Sequence, residues 1–303
     1  MRGAGLGAAM TIVAKARKTF RPLYWRVASL LPVPARRRFL FLARHRRWPD
    51  LRDPHGFSEK INWRILHDRR QMLVDFSDKL EMRRLARERV PDPAMMRLPE
   101  LLWQGDSLED LPDLQAVGPW VLKPNNGTGT VVFGPDGRSR EEIIRRAQAW
   151  RSSAPGELLG EWAYTQIPTR YLLEGRLPGG GTPADYKLLC FDGEPRVIQV
   201  HTERFSDAHS LCHYTPEWEL LPGRSAKWRN DPVPRPERLD LMLEIARRLS
   251  AGWDFIRIDL YDVDGAVWFG EFSPYPGAGT SRFVPYAFDE YLGSLWTLPE
   301  HLR

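Results

Sequence analysis

The clearest chemical groups in this chain sit at two-residue spacing in one stretch: Arg257 and Asp259, then Glu271 and Ser273. Residues two apart on a strand point to one face, so each pair shares a face of its strand. Phe255–Tyr261 alternates apolar and polar residues, many of them branched or aromatic, and reads as a strand. Asp262-Val263-Asp264-Gly265 has turn chemistry, with Gly265 free to take positive φ. Ala266–Ser273 resumes as the partner strand. If the two faces coincide, two carboxylates and a guanidinium converge. Paired carboxylates repel unless something positive lies between them. A hard ion such as Mg²⁺ does this with oxygen ligands, using one or two carboxylates plus substrate phosphates. A surface hairpin with solvated charges is the alternative reading of the same spacing.

A second group lies in Trp120–Phe133, where Lys123 precedes Asn125-Asn126-Gly127-Thr128-Gly129-Thr130. Strand, lysine, Gly/Asn/Thr loop and second strand make a hairpin with a glycine tip. Glycines let backbone N–H groups approach phosphate oxygens, and loop hydroxyls add donors. The loop is neither a Walker nor a Rossmann phosphate loop, since GxxxxGK[ST] is absent and no helix opens after it. Many such hairpins are merely turns. Arg170–Glu174 reads as a buried strand ending in a carboxylate. Lys187 sits mid-strand in Asp185–Phe191, where a lysine needs a counter-charge or a route to solvent. The cations of the helical stretch Asp75–Val90, Lys79 and Arg83 among them, could reach a phosphate or line a solvated helix face. His201–His213 reads as a polar loop carrying Arg204 and a solvated His209, with no zinc-like spacing.

These groups need a scaffold, and 303 residues with 42% hydrophobic content can supply a core for one large domain or two modest ones. Twelve Trp and 26 Pro point to a loop-rich α+β protein. Cys190 and Cys212 make no disulfide framework and no CxxC, which fits a reducing cytoplasm. No apolar run is long enough to span a membrane. The charge is uneven: residues 1–50 hold 12 Lys/Arg and one acidic residue, leaving the rest of the chain net negative. Helical phase over Met10–Trp48 puts Phe20, Leu23, Tyr24, Val27 and Leu31 on one side. Such a basic amphipathic arm suits an anionic membrane surface, or packs on its own domain. Nucleic acid is disfavoured, because the aromatics are in helical phase rather than spread as a stacking platform. A helix opens at Phe57 with Ser58 as its cap, and Pro236–Ser250 is another.

Taken in order, FSEKINW, VDFSDKLEMRRL, WVLKPNNGTG, DYKLLCFDGEPRVIQV, RIDLYDVDGAVWFGEFSPYPGAG and YLGSLWTLP resemble the ATP-grasp superfamily, and within it the teichuronopeptide-biosynthesis (TupA-like) branch. The resemblance runs from about Phe57 to Pro299. It implies an α+β ATP-grasp fold in which two subdomains with antiparallel sheets clamp ATP. The expected division is an N-terminal arm at 1–50, a pre-grasp region at 51–119, a small subdomain at 120–184 and a C-terminal subdomain at 185–303. The resemblance further implies that Lys123 meets the adenine side or α-phosphate. Asn126, Gly127, Thr128 and Gly129 form the lid over the phosphates. Leu173 and Glu174 belong to the hinge beside adenine and ribose. Lys187 reaches the phosphates, Asp259 and Glu271 hold Mg²⁺, and Arg257 steadies the charged intermediate. Asp78-Lys79 with Arg83 resembles the Asp-Lys-x-x-x-Lys/Arg stretch placed before the central domain in several ATP-grasp enzymes. Most of them carry Glu-x-Asn where this chain has Glu271-Phe272-Ser273, so the Ser273 end of the metal site has a hydroxyl in place of a carbonyl.

The implied chemistry is phosphorylation of a carboxylate by ATP and attack of an amine on the acyl phosphate. Positioning and electrostatics do most of the work. The expected enzyme is a cytoplasmic ligase, peripheral on the inner membrane surface through its arm. It joins an amino acid or peptide to a uronic-acid carboxylate of a cell-surface polysaccharide or its precursor. Arg204 and His209 are the candidates for the acceptor carboxylate or sugar, since Arg forks suit carboxylates; a salt-bridged loop is the alternative. A kinase of a sugar or small molecule and a non-catalytic scaffold in polysaccharide assembly are the competing functions.

Overall fold

Alternation of branched and aromatic residues builds the larger sheet of the computed structural model, which describes residues 26–302 except 128, 153–154, 180, 205 and 226. Its strands are β5 (Asp185–Phe191), β6 (Glu194–Thr202), β7 (Ser210–Tyr214), β9 (Phe255–Val263) and β10 (Ala266–Ser273), in the spatial order β10-β9-β5-β6-β7. All neighbours are antiparallel. One face carries Leu188, Ile256, Ile258 and Leu260, all buried, under the helix Leu239–Ser250. The other face carries Lys187, Arg257 and Asp259, because these residues alternate with the first set.

The smaller sheet comprises β1 (Leu101–Gly105), β2 (Trp120–Pro124), β3 (Val132–Gly134) and β4 (Tyr171–Gly175), in the order β1-β4-β2-β3. Trp120, Leu122, Tyr171 and Leu173 form a separate core with Ile143 and Ala147 of the helix Arg140–Ser152. The boundary expected at residue 120 therefore falls inside this unit: β1 pairs with β4 and brings residue 101 onward into it. A two-stranded ladder, β8 (Arg224–Ser225) with β11 (Phe283–Val284), forms a third sheet whose Phe283 packs into the main core.

Several local expectations are corrected. The stretch Asp75–Val90 is not one helix. It divides into α3 (Gln71–Asp75) and α4 (Glu81–Arg89), preceded by α1 (Val33–His45) and α2 (Phe57–His67). Ser77 Oγ bonds back to the Leu73 carbonyl at 2.7 Å, Asp78 Oδ1 accepts from the Leu80 N–H at 2.8 Å, and the Lys79 N–H donates to the Asn125 carbonyl at 3.0 Å. These local bonds compete with the helical ladder and swing Lys79 off the helix. Ser58 does not cap α2, whose first flanking residue is Gly56; its hydroxyl bonds Asp289 Oδ1 at 2.6 Å. The polar loop expected through His213 is shorter, since Ser210–Tyr214 is a fully buried strand.

The basic arm is also part of the body from Val33 onward. In α1, Leu40, Phe41 and Arg37 are buried. Arg37 donates to Asn62 Oδ1 at 2.8 and 2.6 Å, to the Leu159 carbonyl at 3.1 Å and to the Ala278 carbonyl. Arg36 reaches the carbonyls of Glu157 and Leu158, each at 3.0 Å, and Arg47 pairs with Glu59 at 2.7 Å. Three of the arm's cations thus satisfy internal acceptors. Val27 and Leu30 are exposed, as is Trp48. The expected apolar face at Phe20, Leu23 and Tyr24 lies outside the described residues.

Candidate active site

Asp259 and Glu271 reach the same face through a register shift. Phe269 pairs with Leu260, but the next pair is Glu271 with Asp259, so the ladder skips Gly270. Without that extra residue Glu271 would stand opposite Ile258 and point into the core. A Cβ on Gly270 would lie 2.8 Å from the Tyr261 ring and 3.0 Å from the Asp259 carbonyl, which accounts for glycine at this position. Ser273 then falls opposite Arg257. The convergence that spacing alone left open is thus present.

The charges there form a chain. Arg257 Nε and Nη2 bond the two Asp259 oxygens at 2.6 and 2.8 Å, and Nη2 also reaches Glu271 Oε1 at 3.1 Å. Lys187, opposite Asp259 on β5, pairs with that carboxylate and with Asp185 Oδ2 at 2.8 Å. Arg204 closes on the same Asp185 oxygen at 2.7 Å. Burial works to raise the Asp259 pKa, but Arg257 and Lys187 outweigh it and hold the group down at about 2. Burial, with the Asp259 charge behind it, pushes Asp185 upward, and Lys187 and Arg204 only partly draw it back. The positive group between the two carboxylates in this structure is therefore the Arg257 guanidinium.

Magnesium fits this donor set. Asp259 and Glu271 offer two carboxylates, Ser273 adds a hydroxyl, and Mg²⁺ asks for no more protein ligands when phosphates supply the rest. The Glu271 side chain is 40% exposed, so it faces the cleft rather than the core. Among the described residues no three His, Cys, Asp or Glu side chains form an all-protein metal cage.

A cleft of about 490 Å³ opens over these groups, lined by Lys187, Arg257, Glu271 and Ser273 on one side and by Lys79 and Gly127 on the other. The Lys79 ammonium donates to the Gly127 carbonyl. Burial lowers its pKa to about 8, with Glu271 pulling it up and Lys123 pushing it down. Lys79 thus feels charges of both sheets. Gly127 is tightly enclosed: a Cβ there would overlap Thr130 Oγ1 and the Pro124 ring. Gly129 has φ +69, a conformation glycine tolerates. Thr128 lies outside the described residues. Asn126 anchors the loop through Nδ2 to the Ile167 carbonyl and Thr169 Oγ1, both at 3.0 Å.

Lys123, Glu174 and Arg83 close on one another instead of lining the cleft. Glu174 pairs with both cations, and Arg83 also donates to the Pro99 carbonyl at 2.7 Å. The Leu173 side chain is buried in the small core, which leaves only its main chain for a ligand. His209 is not solvated. It is buried, stacks on Trp228 at 4.1 Å and shares a 2.9 Å hydrogen bond with His201. Burial, together with Lys187 and Arg257, lowers His201 to about 2, so that imidazole is neutral.

Sequence reasoning passed over Asp185, although its spacing from Lys187 puts both on one strand face. It also passed over Asn125, whose buried side chain bonds Asp78 Oδ2 and the Pro168 carbonyl, each at 3.1 Å, and accepts from the Arg170 N–H at 2.7 Å. Glu161, on the cleft wall, gave no sequence signal because it lies between two short helices.

Comparison with known proteins bears on this geometry. The sequence matches the family described as TupA-like ATPgrasp over residues 59–297. No curated protein matches it. Among solved structures, D-alanine–D-alanine ligase from Bacillus anthracis complexed with ATP is 17% identical, with a TM-score of 0.39 over 67% of this chain and 57% of that one. The ATP-grasp ligase PsnB with its minimal precursor is 12% identical, with a TM-score of 0.37 over 74% and 60%. D-alanine–D-alanine ligase from Helicobacter pylori is 15% identical, with a TM-score of 0.41 over 74% and 59%. The chain spans under two thirds of each of these ligases.

Proposed function

The chain belongs to the TupA-like ATP-grasp family, and on that footing we propose that it is an ATP-dependent carboxylate–amine ligase that releases ADP. The observation that carries this reading is the cleft in which Lys187, Arg257 and Glu271 from three adjacent strands face Lys79 and Gly127, with Asp259 buried beneath them and paired with Lys187 and Arg257. A carboxylate oxygen attacks the γ-phosphorus of ATP, the bond to the β-phosphate oxygen breaks, and ADP leaves. An amine nitrogen then attacks the acyl carbon, phosphate departs, and the nitrogen gives up its proton. Asp259, Glu271 and the Ser273 hydroxyl would hold Mg²⁺, which would supply neutralisation of phosphate charge. Lys187 and Arg257 are placed to steady the transferring phosphoryl, and Lys79 with the Gly127 loop covers the phosphates. Preorganised cations in a partly dry cleft stabilise developing charge without reorganising.

Arg204, turned to the cleft beside His201, is assigned to the acceptor carboxylate. The acceptor class we favour is a uronic acid of a cell-surface polysaccharide or its precursor, and the amine an amino acid or peptide. Lys123, Asn126, Gly129, Leu173, Glu174 and Arg83 serve the nucleotide through the loop and hinge they shape. The basic character of residues 1–50 supports contact with an anionic membrane surface; no described helix is long and apolar enough to cross one.

The test is an ADP-release assay of the full chain with glucuronate or galacturonate acceptors and the common amino acids as amines. Release that requires both substrates is expected. Release without an amine would mark a kinase, and absence of nucleotide binding would leave a scaffold. Sedimentation with phosphatidylserine vesicles, reversed by salt, is expected for the membrane contact; no cosedimentation at low salt would remove it.

A further inference from the structure

The large sheet lays the cleft out in spatial order. His201 is the penultimate residue of β6 and Arg204 lies just past its end; Lys187 is on β5, Arg257 and Asp259 on β9, Glu271 and Ser273 on the edge strand β10. Beyond that edge the chain passes through Tyr275 and the turn Pro276–Gly279, and there Glu161 and Tyr164 wall the same cleft. Glu161 is 4% exposed. Among the described residues its carboxylate accepts no hydrogen bond and joins no ion pair. Arg37, the cation that acts on it, is engaged with Asn62 Oδ1 and the Leu159 carbonyl. Burial pushes the Glu161 carboxyl up to about 8, and Arg37 only partly draws it back. The empty site therefore holds the neutral acid at neutral pH, and an arriving cation favours the carboxylate by removing the cost of an unpaired buried charge. The Tyr164 and Tyr275 rings stand 6.4 Å apart beside it, and aromatic faces attract cations.

A carboxylate–amine ligase must hold two organic substrates of opposite charge. Arg204 and Arg257 suit the anion. An amine arrives at neutral pH as an ammonium ion, for which that cationic stretch is the wrong environment. We infer that Glu161, flanked by Tyr164 and Tyr275, is the subsite that binds the ammonium group of the amine substrate, across Glu271 from Arg204. The inference rests on the ligase reading above. It places the amine and the acceptor carboxylate on opposite sides of the phosphoryl-transfer groups, so the two approach the same carbon from different ends of the cleft.

Glycinamide, a primary amine with no carboxylate, is the probe, measured by equilibrium dialysis against the full chain with a non-hydrolysable Mg·ATP analogue present. Saturable binding is expected. Glu161→Gln weakens it roughly tenfold or more, and Glu161→Asp recovers part of the loss. Affinity for the nucleotide analogue stays unchanged in both variants, which a general loss of structure would not allow. Equal glycinamide affinity in the wild type and Glu161→Gln, or no saturable binding by the wild type, overturns the assignment. If the Gln variant fails to fold, Glu161→Asp decides: unchanged affinity there is equally fatal. Glycinamide binding that depends on Glu161 without amine-stimulated ADP release would sink the ligase reading and leave the subsite. Amine-stimulated ADP release with the same amine KM in wild type and Glu161→Gln would sink the subsite alone.

Discussion

At the scale of single residues, Asp259 and Glu271 have different energetic roles despite one proposed task. Asp259 is buried between Arg257 and Lys187, whereas Glu271 looks into the cleft. Asp259→Asn and Glu271→Gln are each expected to cut ATP turnover by roughly 10²–10³-fold. Urea denaturation separates them: the Asp259 variant loses about 2 kcal/mol at neutral pH and the Glu271 variant little. The folded pKa of Asp259 is depressed to about 2 from 3.8. Its stabilisation is therefore complete above the unfolded value and fades as pH falls from about 4 toward 2. The gap between wild type and Asp259→Asn should shrink over that interval; a constant gap contradicts the ion-pair account. Lys79 titrates the other way. Its pKa is lowered to about 8, so in the empty protein it sheds its charge as pH rises through that value. Phosphate favours the charged form, so Mg·ATP affinity is expected to fall between pH 7 and 9.5. Lys79→Met should flatten that profile, as calorimetry at several pH values would show.

At the scale of elements, the decisive feature is one extra residue in β10. Gly270→Ala forces a Cβ against the Tyr261 ring and the Asp259 carbonyl. It is expected to cost about 1–3 kcal/mol of stability and to lower turnover by disturbing how Glu271 meets Asp259. Normal turnover with a normal melting temperature would show that the bulge does not position the site. This is also where sequence reading reached its limit. Alternation revealed both strands and the shared faces within each, but whether the two faces coincide depends on a ladder skip that alternation cannot show. The helix expected over Asp75–Val90 failed for a similar reason. Ser77 and Asp78 make local bonds, and Asn125 captures the Lys79 N–H from far along the chain. That break is what delivers Lys79 to the cleft. His209 was misjudged because the partners that bury it, His201 and Trp228, converge only in three dimensions.

At the scale of the whole molecule, the N-terminal region is a structural brace as much as a basic arm. Arg37 joins α1 to α2, to the 157–159 segment and to the turn after β10. Arg37→Ala is expected to cost more than about 3 kcal/mol, read as a lowered melting temperature, since it strands several buried acceptors. A melting temperature matching the wild type would return the arm to a solvent-facing role. Composition exposed the charge asymmetry of residues 1–50, but it could not tell cations that face water from those that satisfy carbonyls across the fold. The cleft over the larger sheet, with Lys79 and the Gly127 loop on its other wall, leads to the claim on which everything else depends, that Mg·ATP binds there. Calorimetric titration of ATP into the full chain, with and without Mg²⁺, tests it most directly. One saturable site that needs Mg²⁺, and whose Mg²⁺ dependence is largely lost in Glu271→Gln, is the expected result. No saturable binding, or binding that is identical in wild type and Glu271→Gln, would contradict it.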